Sequence, residues 1–341
     1  MKRINIYLFF LLVVCLTLTC GKSPTGPEPF KDPRTYTWTV DTLAYPETSM
    51  RDVWGSCPTN VYLVGHSDGA FGKMYHYNGI EWQPVNLPLG AFDFYAIHGF
   101  AANDIWVVGC RIYYNPTPPP NFLDSSLIIH FDGRQWREHR TLAGSCLLTI
   151  FGNSPNDVWA AGGAGTLFHY DGTRWSKVPM DTQYDFFDMV GLGKELYMLG
   201  WRGEGPPGDL TRGYRVLFGY DGSSWRAIDS VHVLSDLFYR VAAIGNTLYT
   251  LGYGVWALRG GVWQEELTTA NVLQGYYAVS PSNVFVVGQQ SLIYHYDGQT
   301  WQQLRDIVGG GLWLHAVWAT EREAFIVGDA GGFKTIVLHG K

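Results

Sequence analysis

Five histidines occupy one recurring position: His76 in "HYNGIEW", His130 in "HFDGRQW", His169 in "HYDGTRW", His295 in "HYDGQTW" and His339 in the closing "LHGK". Two residues after the first four stand Asn78, Asp132, Asp171 and Asp297, and "GYDGSSW" adds Asp221. Imidazole beside carboxylate is the chemistry of metal ligation and of proton transfer. Spacing argues against both. One metal ion needs all its ligands at about 2 Å, and glycoside cleavage needs two carboxylates about 5–10 Å apart. Equivalent positions of successive repeats are carried apart by the repeat itself, by more than about 10 Å at sheet spacing. The recurring His and Asp therefore read as parts of a building unit. Asp-Gly between two alternating apolar runs is a hairpin signal, and the Trp opens the strand that follows.

A second string repeats with the first. "NDIWVVG" at 103–109 and "NDVWAAG" at 156–162 are nearly identical, and the looser aromatic-x-x-Gly occurs seven times. The copies run Tyr62 to Gly65, Trp106 to Gly109, Trp159 to Gly162, Tyr197 to Gly200, Tyr249 to Gly252, Phe285 to Gly288 and Phe325 to Gly328. Six are followed by Gly-x-x-Trp, at Trp82, Trp136, Trp175, Trp225, Trp263 and Trp301. The seventh runs off the end of the sequence without a Trp, and an orphan "YTWTVDT" at 36–42 precedes the first repeat. Each unit reads as four short strands; in unit three these are "LLTIFG", "DVWAAG", "TLFHY" and "RWSKV". The glycines of the second strand mark close backbone approach or positive φ. Seven four-stranded units predict an all-β, seven-bladed β-propeller over residues 36–341, closed by an N-terminal strand that completes the last blade. A composition with 16% aromatic residues, 41 glycines and only 16% charged residues suits that architecture.

The order of strings resembles kelch-type propellers, which also set an aromatic-x-x-Gly strand before a Tyr…Trp pair. The likeness covers residues 36–341 and departs at the kelch Gly-Gly pair, present here only as Gly162-Gly163. The hairpin is also similar to the sialidase-type Asp-box, which has one residue between its Asp and Gly, whereas Asp171 and Gly172 adjoin.

In a propeller, the second-to-third strand loops and the links between blades share one face. Here they vary most: "CRIYYNPTPPPNFLDSS" at 110–126, "WRGEGPPGDLTRG" at 201–213 and "HSDGAFGK" at 66–73. Function concentrates on variable loops held by a rigid scaffold. The candidate ligand-binding residues are therefore Tyr113, Tyr114, Phe122, Asp124, Trp201, Arg202, Glu204, Asp209 and Arg212, aromatics beside charges that suit a protein or glycan ligand. Arg51, Tyr95, Arg240, Tyr277 and His315, on first strands, join them from the channel wall. Cys110 and Cys146 fall near each other on this face, within reach of a disulfide if the compartment is oxidising, while Cys57 lies on the opposite face and is left over.

The N-terminal "MKRINIYLFFLLVVCLTLTC" has a short basic region, an apolar run and a small-residue end, the pattern of an export signal. It resembles a bacterial lipoprotein precursor, with residues 1–19 as signal peptide, Cys20 as the lipidated residue and 20–35 as a Pro/Gly-rich tether. The usual Leu three residues before the Cys and small residue just before it are here Thr17 and Thr19. That resemblance implies a protein held to the envelope by an N-terminal lipid, at the outer membrane or cell surface. "GKS" at 21–23 lacks the earlier glycine and the preceding strand of a phosphate loop. A formal net charge of −6, more negative once Lys2 and Arg3 are removed, argues against nucleic acid. No cofactor motif and no unique catalytic constellation stands out. The leading expectation is a non-catalytic, monomeric binding or scaffold propeller. The alternatives are a polysaccharide-acting enzyme using Asp124, Glu204 and Asp209 at the channel mouth, and an assembly factor for an envelope complex.

Overall fold

The computed structural model describes residues 29–43, 48–67, 72–87, 92–114, 122–139, 144–203, 213–232, 239–331 and 334–341. Within these, the side chains at 42, 112–114, 122–124, 231 and 232 are not described, and Cys20 lies outside the described residues.

Seven antiparallel four-stranded sheets are arranged as blades, at 48–84, 92–139, 147–177, 185–232, 240–268, 273–303 and 313–340. In each of the first six, chain order equals strand order, from the inner channel strand to the outer edge. The seventh blade is closed by Trp38–Thr42, which pairs with Thr335–Gly340 from Trp38 opposite Gly340 to Thr42 opposite Ile336. Blade seven is then stitched to blade one: the Thr335 hydroxyl donates to the Thr48 carbonyl at 2.7 Å, and the Met50 N–H donates to the same hydroxyl at 3.1 Å. The sequence expectation of a closed seven-bladed ring holds.

The repeated His has a local role in every blade that carries it. Cross-strand register sets His76 opposite Tyr62, His130 opposite Trp106, His169 opposite Trp159, His295 opposite Phe285 and His339 opposite Phe325. Four of the pairs stack, with centroids 3.9 Å apart for Trp106–His130 and 4.1 Å for Trp159–His169, while His295 is tilted 54° to Phe285. Each Nε2 then bonds a side chain near the start of the second strand: Asn60 (2.7 Å), Asp104 (2.7 Å), Asp157 (2.8 Å), Asn283 (3.0 Å) or Glu323 (2.9 Å). Blades four and five have Gly219 and Ala257 at this position and form all the same.

The repeated Trp joins neighbouring blades. Trp136, Trp175, Trp225 and Trp82 stand edge-on to Tyr62, Trp106, Trp159 and Phe325 of the preceding blade, at interplanar angles of 75°, 76°, 76° and 84°. Edge-to-face geometry is the favoured aromatic arrangement and adds to the area buried. Each central aromatic is thus held between a His of its own blade and a Trp of the next.

The hairpin itself is a four-residue turn. Asp171 Oδ1 accepts from the N–H of Thr173 (2.9 Å) and of Arg174 (2.9 Å), an Asx turn, and only Gly172 takes positive φ, at 87°. The two donated bonds hold the exposed Asp171 carboxyl below the usual carboxylate range.

Cys110 and Cys146 form a disulfide with Cα atoms 4.6 Å apart, tying blade two to blade three. Cys57, on the opposite face, has its Sγ 3.4 Å from the Thr59 hydroxyl.

Candidate functional site

The inner strands wall a central cavity of about 440 Å³. Arg51, Tyr95, Arg240, Tyr277 and His315, the five first-strand residues marked from sequence, all line it. Backbone irregularity aims several of them. Register shifts fall at Met50/Asp52, Phe94/Ala96 and Leu314/Ala316, so Arg51, Tyr95 and His315 are the extra residues of β-bulges, which re-aim a side chain. Arg51 stacks over Tyr95, its guanidinium carbon 3.9 Å from the ring centre, and pairs with Asp93 at 3.0 Å. His315 Nε2 lies 2.7 Å from Asp329 Oδ2.

Two wall residues have no counterpart in the sequence reading. Asp52 accepts from Val53 N–H (2.9 Å) and from Ile97 N–H of the next blade (2.9 Å). Asp188 accepts from Val241 N–H of blade five at 2.7 Å. Both carboxyls thus clasp one blade to the next. Burial pushes Asp52 up to about 7 and Asp188 up to about 6, with the Arg240 charge and the donated N–H bonds pulling the other way. A lone Asp on an inner strand carries no spacing signature, so sequence could not single them out.

A raised carboxyl pKa means that the folded state binds protons the unfolded chain has already released. The linked stability is present in full below about pH 4 and is lost as pH rises through about 6 to 7. Asp52→Asn keeps an acceptor for Ile97 N–H and removes the titration. The expected outcome is a smaller fall in melting temperature between pH 5 and pH 8, with about 2 kcal/mol of pH dependence removed. Thermal melts of both proteins across that range check it.

A second cavity of about 460 Å³ opens on the face of the second-to-third strand loops, lined by Leu148, Asp185, Phe187, Trp201, Arg215, Tyr239, Arg240, Leu273 and Gln274. Trp201 and Arg215 are cross-strand partners on blade four. Arg215 stacks on Tyr239, 3.7 Å from guanidinium carbon to ring centre, and Tyr239 meets the exposed Tyr253 edge-on at 6.0 Å. Arg240 Nε donates to the Gln274 carbonyl at 2.6 Å. The Gln274 side-chain Oε1 is buried without a hydrogen-bond partner.

Of the residues selected from the variable loops, Trp201 lines this mouth and Arg202 is exposed beside it. Tyr113, Tyr114, Phe122 and Asp124 belong to strands rather than a loop: Asp104–Tyr114 pairs with Phe122–Phe131, setting Tyr113 opposite Leu123, Tyr114 opposite Phe122 and Ile112 opposite Asp124. Backbone pairing thus carries the hairpin on from Gly109 opposite Leu127 to Tyr114 opposite Phe122. The same happens on blade four, where Arg202 pairs with Tyr214. Glu204, Asp209 and Arg212 lie outside the described residues. Arg215 and Tyr239 were missed because each sits where a strand emerges from an insertion; only the folded ring brings them together.

No protein-family model matches the chain, and no curated protein matches its sequence. Solved structures match its shape. YCF48 bound to a D1 peptide has a TM-score of 0.62 at 17% identity, over 92% of this chain and 96% of that one. YCF48 from Cyanidioschyzon merolae has a TM-score of 0.62 at 13% identity, over 88% and 98%. The WD40 β-propeller domain of Doa1 has 0.56 at 11%, over 89% and 97%. At such identities the likeness is one of fold, and it agrees with the strand order: the chain is a seven-bladed β-propeller.

Proposed function

We propose that this protein is a non-catalytic binding propeller that holds an extended segment of a partner protein across the mouth formed by blades three to six. The observation that carries this reading is one continuous depression: the channel cavity and the mouth cavity share Leu148, Phe187, Arg240 and Gln274. Aromatic and arginine side chains dominate binding energy where proteins meet. Here Trp201, Tyr239, Arg215 and Arg240 converge on an apolar floor. YCF48, a protein of the same fold, has been solved bound to a D1 peptide, which supports a peptide as the kind of ligand such a mouth accepts.

The lipoprotein-type N-terminus extends the proposal: export, lipidation at Cys20 and attachment to the envelope. The closing strand starts at Trp38, beside Gly340, on the face of the hairpin turns. Lys31 N–H bonds the Glu321 carbonyl in a turn of that same face at 2.9 Å. A tether leaving there turns the mouth away from the membrane and toward a partner.

The test uses the full-length protein and a Trp201→Ala/Tyr239→Ala variant of unchanged melting temperature, each presented to detergent-solubilised envelope proteins. The expected result is a partner captured by the first and reduced at least tenfold with the second. Equal capture by both overturns the mouth as the binding site.

A further inference from the structure

The ligand chemistry of this mouth can be narrowed, on the protein-segment reading just given. We infer that the mouth recognises a carboxylate adjoining an apolar side chain in the partner segment, with the Arg240 guanidinium as the carboxylate receptor.

Arg240 sits where the two cavities join. Its Nε bond to the Gln274 carbonyl fixes the guanidinium plane. The buried Asp52 and Asp188 carboxyls feel its charge from the channel side. No hydrogen bond among the described residues takes its terminal nitrogens, which a ligand at the mouth can reach. Among the described residues Arg240 makes no ion pair. Arginine's planar fork matches a carboxylate in two parallel bonds. The surroundings complete the fit. Leu148, Phe187 and Leu273 form an apolar floor beside it, able to seat a side chain next to the charge. Gln274 Oε1, buried and lacking a donor, faces the demand that a peptide N–H meets. An extended peptide with an apolar residue next to a carboxylate supplies all three: side chain, N–H and anion. A neutral glycan supplies no anion. The rest of the molecule is acidic, with a formal net charge of −6, so a cationic spot at the mouth also sorts acidic segments from the general repulsion.

Two sources share this chemistry, an internal Asp or Glu and a free chain end. The experiment measures binding of the full-length protein to immobilised random peptides in four sets: a central Phe-Glu, the same with Phe-Gln, a C-terminal Phe as free acid, and the same amidated. Each set is also measured with Arg240→Gln and Arg240→Lys proteins. The inference predicts at least tenfold preference for the charged member of one pair, near-equal binding of both members by Arg240→Gln, and partial return of the preference in Arg240→Lys. The pair that discriminates identifies the source. Because the ratio is read within each protein, a general loss of stability cancels. Equal binding of charged and neutral peptides by the unmodified protein, still sensitive to Trp201→Ala, overturns the carboxylate inference and leaves the mouth as a peptide site. Binding insensitive to both Trp201→Ala and Arg240→Gln, or no binding of any set, overturns both.

Discussion

Gly162→Ala is expected to unfold most of the protein at physiological temperature or to cost about 3–5 kcal/mol of stability. A Cβ built on Gly162 meets the Cys146 carbonyl oxygen at 1.8 Å and its carbon at 2.7 Å, both of them backbone. No rotamer change relieves that contact. The inner strand of blade three must move away from the second, and it is fixed at its start by the Cys110–Cys146 disulfide and along its length by the core packed between blades two and three. The aromatic-x-x-Gly repeat is thereby explained in blades one, two, three, six and seven, where a Cβ would meet backbone in or just before the first strand at 2.4 Å or less. Its glycine lets the second strand close on the backbone of the first, and the same approach recurs at Gly109, where Asp93 O stands 1.9 Å from the virtual Cβ. The control is Gly193→Ala. Gly193 has positive φ of 65° and nothing within 4 Å of a Cβ, so only the backbone strain of about 1 kcal/mol is expected. Chemical denaturation of the two variants separates the mechanisms. Similar small losses in both contradict the close-approach account.

Removal of the closing strand is expected to have an effect at least as large. A chain beginning at residue 29 keeps the strap and is expected to melt like the full-length protein. A chain beginning at residue 44 leaves Thr335–Gly340, buried along its whole length, as an open edge without its Trp38–Thr42 partner. It also removes the buried Tyr36 and Leu43, and Trp38, which packs on Gly340. Five paired residues and that aromatic packing are a large part of a net stability that is ordinarily about 5–15 kcal/mol. The expected product is an unfolded or aggregated chain, because an exposed, apolar edge strand invites pairing with another molecule. Size-exclusion chromatography and calorimetry of the two truncations check it. A monomeric, cooperatively melting chain beginning at residue 44 contradicts the closure account.

The architecture was legible because a repeat protein states its unit many times. Aromatic-x-x-Gly, the Asp-Gly turn and the Trp that follows each have one physical job, and the jobs recur at fixed spacing. Even the missing outer strand was readable from a unit that lacks its Trp at one end and an orphan "YTW" at the other. The site was only partly legible. A binding mouth is built from residues that differ between blades, so repetition says nothing of it. Arg51, Tyr95, Arg240, Tyr277 and His315 could be placed on the channel wall because the inner strand of each unit was known. Arg215 and Tyr239 could not, since their partnership spans two blades and two insertions. Tyr113 and Tyr114 were assigned to a loop because a Pro-rich tip masks the strand pairing on either side of it.

The most direct test of the central claim, that the mouth face holds a partner protein, is site-specific photo-crosslinking in the native cell. A photoreactive phenylalanine analogue replaces Tyr239 at the mouth or Ile80 on the opposite face, where Ile80 is 86% exposed in a hairpin turn. The account predicts a discrete cross-linked partner from position 239 and none from position 80. A partner cross-linked from position 80 and absent from position 239 contradicts it.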